Sequence, residues 1–132
     1  MSKLSKRKID PKDFGQYVNN LWLVFMLLDS KDQIRALFRD LYTHTEYKMF
    51  AKRFEIARGL LEGQTYDEIA DRLKVTNHTI ATVSNILERD GAGLRIAHKK
   101  LKDLERSHKR PHFKLPRYKH APRISELVNV FK

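Results

Sequence analysis

Three times in this chain a hydroxyl residue stands three places ahead of Glu or Gln: Ser30 and Gln33, Thr43 and Glu46, Thr65 and Glu68. That spacing is a capping box. The hydroxyl accepts from a free backbone amide in the first helical turn, and the longer side chain reaches back to the amide of the capping residue. Each start is followed by apolar residues at three- and four-residue intervals, so the middle of the chain is committed to helices and the spacing predicts an all-α fold. Behind Ser30 the core face is Ile34, Leu37, Phe38 and Leu41. Behind Thr43 it is Tyr47, Phe50, Phe54, Ala57 and Leu61, in a helix running to about Glu62 and stopped by Gly63, the residue type that most readily takes the left-handed conformation closing a helix. Behind Thr65 a short helix runs to Leu73, with Ile69, Ala70 and Leu73 inward. Lys74-Val75-Thr76 makes a tight break, and a helix from about Asn77 to Arg89 turns Ile80, Val83 and Leu87 inward. Asp90-Gly91-Ala92-Gly93 ends it, and Leu94, Ala97, Leu101 and Leu104 mark another helix. Pro111, Pro116 and Pro122 break up the tail, and Ile124–Phe131 has room for a last helical turn or two. No segment reads as a strand.

Ahead of these starts lies a helix of a different kind. Pro11 and Asp13 can open it, and Phe14, Tyr17, Val18, Leu21, Trp22, Phe25 and Leu28 form a wide apolar stripe. Leu23, Val24, Met26 and Leu27 make its second half apolar nearly all round. Such a helix needs cover on several sides. A chain of 132 residues offers little, so a dimer interface is expected here. The unbroken apolar run Leu21–Leu28 is far short of a membrane span. Acidic residues flank it and no small-residue cleavage site follows, so it does not read as a signal peptide. Cysteine is absent, which excludes disulfides, cysteine-ligated metals and cysteine nucleophiles. The expected location is the cytoplasm, with no membrane partner.

The charge is uneven. The net charge is +11, but residues 13–96 are almost neutral. The excess sits in residues 1–12, with Lys3, Lys6, Arg7, Lys8 and Lys12 against Asp10, and in residues 97–123, where ten cations face Asp103 and Glu105. Two basic arms flanking a neutral helical core suit a polyanion, since each phosphate neutralised releases counterions and adds affinity regardless of sequence. Phe113 and Tyr118 lie among the cations of the second arm, a weak pattern for nucleic-acid contact. The expected organisation is a basic arm over 1–12, a helical dimerisation and reading domain over 13–96, and a basic extension over 97–132.

The segment Tyr66–Glu88 points to a function. Ile69, Ala70, Leu73, Val75, Ile80 and Val83 occupy the packing positions of a helix-turn-helix. Ala70 is small where the second helix crosses close. Lys74 stands in the turn, where glycine is common. This arrangement leaves Thr76, Asn77, His78, Thr79, Ala81, Thr82 and Asn85 facing largely outward, short and mostly polar. A helix presenting such residues at its N-terminus suits the major groove. Asn77 and Asn85 match adenine in two-point fashion, His78 can donate to guanine, and Ala81 suits a thymine methyl. Thr65 and Thr76, at helix starts, can hold phosphate, and Lys74 is a further candidate DNA contact.

Around this motif, Tyr42–Gly93 resembles the Trp repressor superfamily, and more closely its Trp repressor-related branch of small bacterial proteins. The resemblance is carried by Leu41-Tyr42-Thr43, Lys52-Arg53-Phe54-Glu55-Ile56, Leu60-Leu61-Glu62-Gly63, Thr65-Tyr66-Asp67-Glu68-Ile69-Ala70, Thr79-Ile80 and Gly91-Ala92-Gly93. It implies an interwoven, all-helical homodimer whose two reading heads bind successive major grooves of operator DNA. Base-contacting positions of the family fall on Asn77, His78 and Ala81, while an arginine of the first reading-head helix becomes Asp67, implying a different operator. In tryptophan-sensing members two arginines hold the indole. The first matches Arg53, and supporting threonines match Thr43 and Thr79. The second arginine falls on Thr82 and a supporting serine on Ile86. Without one cationic plate, a contact of about 0.5–2 kcal/mol, no strong response to a tryptophan co-repressor is expected, and Arg53 reads as a phosphate or structural residue.

No catalytic constellation emerges. Glu62 and Glu68 end one helix and cap the next, and the serines lack a histidine–acid context. His108, His112 and His120 lie in the basic tail, with Pro111 interrupting any helical metal-binding spacing. No enzyme, metal or cofactor is expected. A sequence-specific double-stranded DNA-binding regulator, a repressor acting as a homodimer, is the expected function. Its rivals are a non-specific nucleoid or RNA-associated protein driven by the basic tails, and a protein-interaction module docking through the first helix.

Overall fold

The computed structural model describes residues 6–107. Among them are six helices and no strand: α1 (Pro11–Leu27), α2 (Lys31–Leu41), α3 (His44–Leu61), α4 (Tyr66–Leu73), α5 (Asn77–Arg89) and α6 (Ala92–Ser107). The expected all-α class holds. The tail residues Phe113 and Tyr118, the histidines at 108, 112 and 120, the prolines at 111, 116 and 122, the final Ile124–Phe131 segment and Lys3 lie outside the described residues.

Local chemistry explains most boundaries. Asp10 caps α1, its carboxylate accepting from the Lys12 amide at 2.8 Å, and Pro11 takes the first helical position, where an amide is dispensable. Thr43 and Glu46 form a complete capping box, with bonds of 2.8 and 3.2 Å. So do Thr65 and Glu68, at 2.7 and 3.3 Å. The Ser30 start is only half a box. The Ser30 hydroxyl accepts from the Gln33 amide at 3.2 Å, but the Gln33 side chain accepts from the amide of Asp29 rather than of Ser30. At the other end of α3, Gly63 is left-handed with φ 80°. The Gln64 amide then bonds the Gly59 carbonyl at 2.9 Å and the Gly63 amide bonds that of Leu60 at 3.1 Å, the paired closure that satisfies otherwise free helix-end carbonyls.

The chain divides into two compact units near Tyr47 and Lys48. In the first, Phe38 of α2 gathers the aromatics. Its ring lies 5.5 Å from Phe25, 5.0 Å from Tyr42 and 5.8 Å from Tyr47, contacts that each add about 0.5–1.5 kcal/mol beyond area burial. No residue of α1 or α2 is fully buried. Trp22 is 63% exposed, Met26 79% and Leu27 78%.

The second unit has a small dense core: Ile56, Ala57, Ile69, Ile80, Val83 and Leu87, with Leu60, Leu61, Ala70, Leu73, Val75 and Leu94 packed against it. Here the sequence-based expectation for α3 is only partly met. Ala57 is buried, but Phe50 is 45% exposed, whereas Ile56, which the expected stripe omits, is fully buried. Ile56 lies about 100° round the helix from Ala57. The α3 helix has two adjoining apolar faces, and the one that packs on α4 and α5 is not the aromatic one. Gly59 lies on the packed side. A Cβ there would stand 3.0 Å from the Ile69 side chain, so the glycine permits the close approach of α4. An ion-pair network fastens α6 to α3: Arg58 reaches Glu55 at 3.1 Å and Glu105 at 3.0 Å, and Lys102 reaches Glu62 at 2.8 Å.

Candidate nucleic-acid interface

The α4–α5 pair is built as the spacing predicts. Ile69 and Ile80 are fully buried and Val83 nearly so, while Ala70, Leu73 and Val75 pack against them. Ile80 and Val83, three residues apart on α5, fix which side of that helix faces the core. The opposite side is thereby turned outward.

The connection rests on Lys74, the only non-glycine residue with positive φ among the described residues, at φ 54° and ψ 55°. A left-handed Lys brings Cβ close to the following carbonyl oxygen, at a cost of roughly 1–2 kcal/mol. Thr76 then caps α5, its hydroxyl accepting from the Thr79 amide at 3.3 Å and sharing a second bond with the Thr79 hydroxyl at 3.1 Å.

Of the residues singled out from sequence, Thr65, Lys74, Thr76, Asn77, His78, Thr82 and Asn85 are exposed, and Thr79 and Ala81 half-buried. Asn77, His78, Ala81, Thr82 and Asn85 share one short stretch of α5. The hydroxyls are already engaged within the protein: Thr65 and Thr76 in caps, and Thr82 donating to the His78 carbonyl at 3.0 Å. The side chains of Asn77, His78 and Asn85 bond no described residue. They retain both donors and acceptors for something outside. Arg53 is exposed on α3, and the Thr43 hydroxyl serves the α3 cap.

Two supports of this site carry no sequence signature. The Lys52 ammonium on α3 donates to the Lys74 carbonyl at 3.3 Å. Arg72 on α4 reaches the Glu55 carboxylate at 3.3 Å and the Gln64 side chain at 3.0 Å. Both join residues far apart in the chain, so no local pattern could have flagged them. Burial first, and Lys48 second, lower the Lys52 pKa from the ordinary lysine value. Burial likewise opposes the charge on Arg58, but Glu55, Glu105 and Glu62 outweigh it and raise its pKa. The hydrogen bond from Lys102 holds the Glu62 carboxyl below the ordinary value, against burial. Among the described residues no group of three or more His, Asp or Glu could hold a metal ion, and no helix is long and apolar enough to cross a membrane.

A family model described as "Trp repressor protein" matches residues 18–102, well over half of the chain. The chain is also 29% identical over 91 residues to "Uncharacterized protein YerC" of Bacillus subtilis (strain 168), covering 69% of this chain and 88% of that protein. No solved structure matches significantly.

Proposed function

The chain belongs to the Trp repressor family, and from that premise we propose that it is a sequence-specific, double-stranded DNA-binding transcriptional regulator, a cytoplasmic repressor that works as a homodimer. Trp repressor proteins are helix-turn-helix DNA-binding regulators rather than enzymes. The observation that carries the finer reading is the outward face of α5. Buried Ile80 and Val83 hold the helix, and Asn77, His78 and Asn85 stand exposed with no side-chain partner among the described residues.

In this reading the first turns of α5 enter the major groove. Asn77 and Asn85 offer paired amide groups to adenine, His78 offers a ring N–H to guanine, and half-buried Ala81 meets a thymine methyl. Thr65, Thr76 and Thr79 line helix starts that can face phosphate oxygens, with Lys74 and Arg53 as cationic contacts. Asp67, exposed on α4, repels a nearby phosphate and biases the register.

Two such heads need a dyad. The exposed apolar residues of α1 and the half-exposed aromatic face of α3 are what a partner copy would cover, so residues 13–62 are assigned to dimerisation. The heads then read half-sites about 34 Å apart. The arms over 1–12 and 97–132 add a sequence-independent grip. No strong response to tryptophan belongs to this reading: at the position expected for a second arginine stands Thr82, whose hydroxyl is bonded to its own helix.

One fact favours the rival, a non-specific nucleic-acid binder: the arms carry more than the whole net charge of +11, and residues 13–96 are slightly negative. Selection of bound duplexes from a random pool, with full-length protein at stated salt, separates the two. A twofold-symmetric consensus supports the regulator. Retention of the pool without enrichment supports the rival.

A further inference from the structure

We propose that Lys52 is a positioning residue for sequence reading: by holding the carbonyl of left-handed Lys74, its ammonium sets the angle at which α5 presents Asn77 and His78. The inference rests on the DNA-reading function proposed above.

The turn between α4 and α5 is held from within on its amide side, where the Lys74 and Val75 amides both donate to the Ala70 carbonyl, and the Lys74 carbonyl is left to an outside partner. Lys74 occupies a conformation suited to glycine, and Lys lacks the short polar side chain that lets Asn or Asp bond locally there. The Val75 amide reaches the Ala70 carbonyl at 3.4 Å, near the outer limit of a hydrogen bond. The Thr76 hydroxyl is engaged by Thr79. Among the described residues the hold on the Lys74 carbonyl comes from Lys52 at 3.3 Å, twenty-two residues earlier.

Lys52 is well placed for this. It sits one helical turn before Ile56, and Ile56 is fully buried in the cluster that contains Ile69 and Ile80. Its backbone is thus fixed to the same core that seats α5. The side chain is half-buried, and burial and Lys48 both lower its pKa. A small rotation about Lys74 swings the first turn of α5, where Asn77 and His78 lie. Base-edge contacts tolerate only about 0.5 Å of misplacement, so the strut acts on discrimination rather than on general affinity.

The alternative role for a lysine here is direct contact with a phosphate. That would weaken binding to all sequences alike and lower the salt slope by about one. Full-length wild-type protein is compared with Lys52→Met, Lys52→Arg, Lys74→Gly and the Lys52→Met, Lys74→Gly double variant. Three quantities are read: the affinity ratio between the selected duplex and a scrambled one, the salt slope, and hydrogen exchange of the Val75 amide without DNA. Lys52→Met is expected to lower the ratio about tenfold, the low end for loss of one good base contact, with an unchanged salt slope and faster Val75 exchange. Lys52→Arg keeps a donor and keeps the ratio. In the double variant glycine removes the strain, so Val75 exchange and the affinity ratio recover, while loss of the Lys74 cation weakens both duplexes alike and lowers the salt slope. Equal loss on both duplexes from Lys52→Met alone, with a smaller slope and unchanged exchange, overturns the proposal. If the wild type prefers no duplex, the DNA-reading function itself fails, and Val75 exchange still decides whether Lys52 holds the turn.

Discussion

Ile80→Ala and Asn77→Ala, three residues apart at the start of α5, should have opposite consequences. Ile80 is 0% exposed and packs with Ile56, Ile69 and Val83. Truncation to Ala removes three buried carbons, about 2.4 kcal/mol of transfer free energy at roughly 0.8 kcal/mol each. The cavity left behind adds to this, so about 3–4 kcal/mol is expected, within the usual range of about 2–5 for such a change. That is a large share of the roughly 5–15 kcal/mol that holds a typical domain together. Asn77 is exposed and bonds no described residue, so Asn77→Ala should stay within about 0.5 kcal/mol while costing DNA discrimination. Urea denaturation followed by far-UV circular dichroism, at one fixed protein concentration because the proposed dimerisation would couple to stability, gives both numbers. The reasoning fails if Ile80→Ala is silent or if Asn77→Ala destabilises equally.

Gly91→Ala should lower the melting temperature by the equivalent of about 1–3 kcal/mol, because φ is +62° there and a Cβ would lie 2.8 Å from the Leu87 Cα; an unchanged melt counts against the α5–α6 corner. If the protein forms the proposed dimer through α1, Trp22→Lys should shift the light-scattering mass from dimer toward monomer, since Trp22 is 63% exposed within one chain; an unaltered mass removes α1 from the proposed interface. Glu62 has a folded pKa below its ordinary 4.5, owing first to the Lys102 hydrogen bond. Its contribution to stability is therefore complete above the unfolded pKa and is lost as pH falls through the folded one. Glu62→Gln should flatten the fall in melting temperature below about pH 4.5, and identical acid profiles would dismiss the network.

The helices were legible because their starts are written locally. A hydroxyl three residues before a Glu, or a glycine after a Leu, specifies a helix end whatever packs around it, and Thr43, Thr65 and Gly63 behave accordingly. Gln33 shows the limit of that rule: its side chain is long enough to reach the amide of Asp29 and settles there. The packing of the α4–α5 pair was legible too, because the two helices are close in sequence. What escaped depends on distant partners. Ile56 is buried through the approach of α4 at Gly59, which no periodicity records, and the aromatic residues of α3 mark a different face. Lys74 could be identified as anomalous in its turn, but the Lys52 ammonium that meets its carbonyl could not. The outward set on α5 was legible as a face, while the bonding that ties the Thr76, Thr79 and Thr82 hydroxyls to the helix was not.

The central claim is that Asn77 meets a base edge. Selecting duplexes from the same random pool with wild-type protein and with Asn77→Ala tests it most directly. The account predicts two related consensus sequences that differ by lost preference at one base pair in each half-site, with the spacing retained. Identical consensus sequences, or uniform weakening at every position, would contradict it.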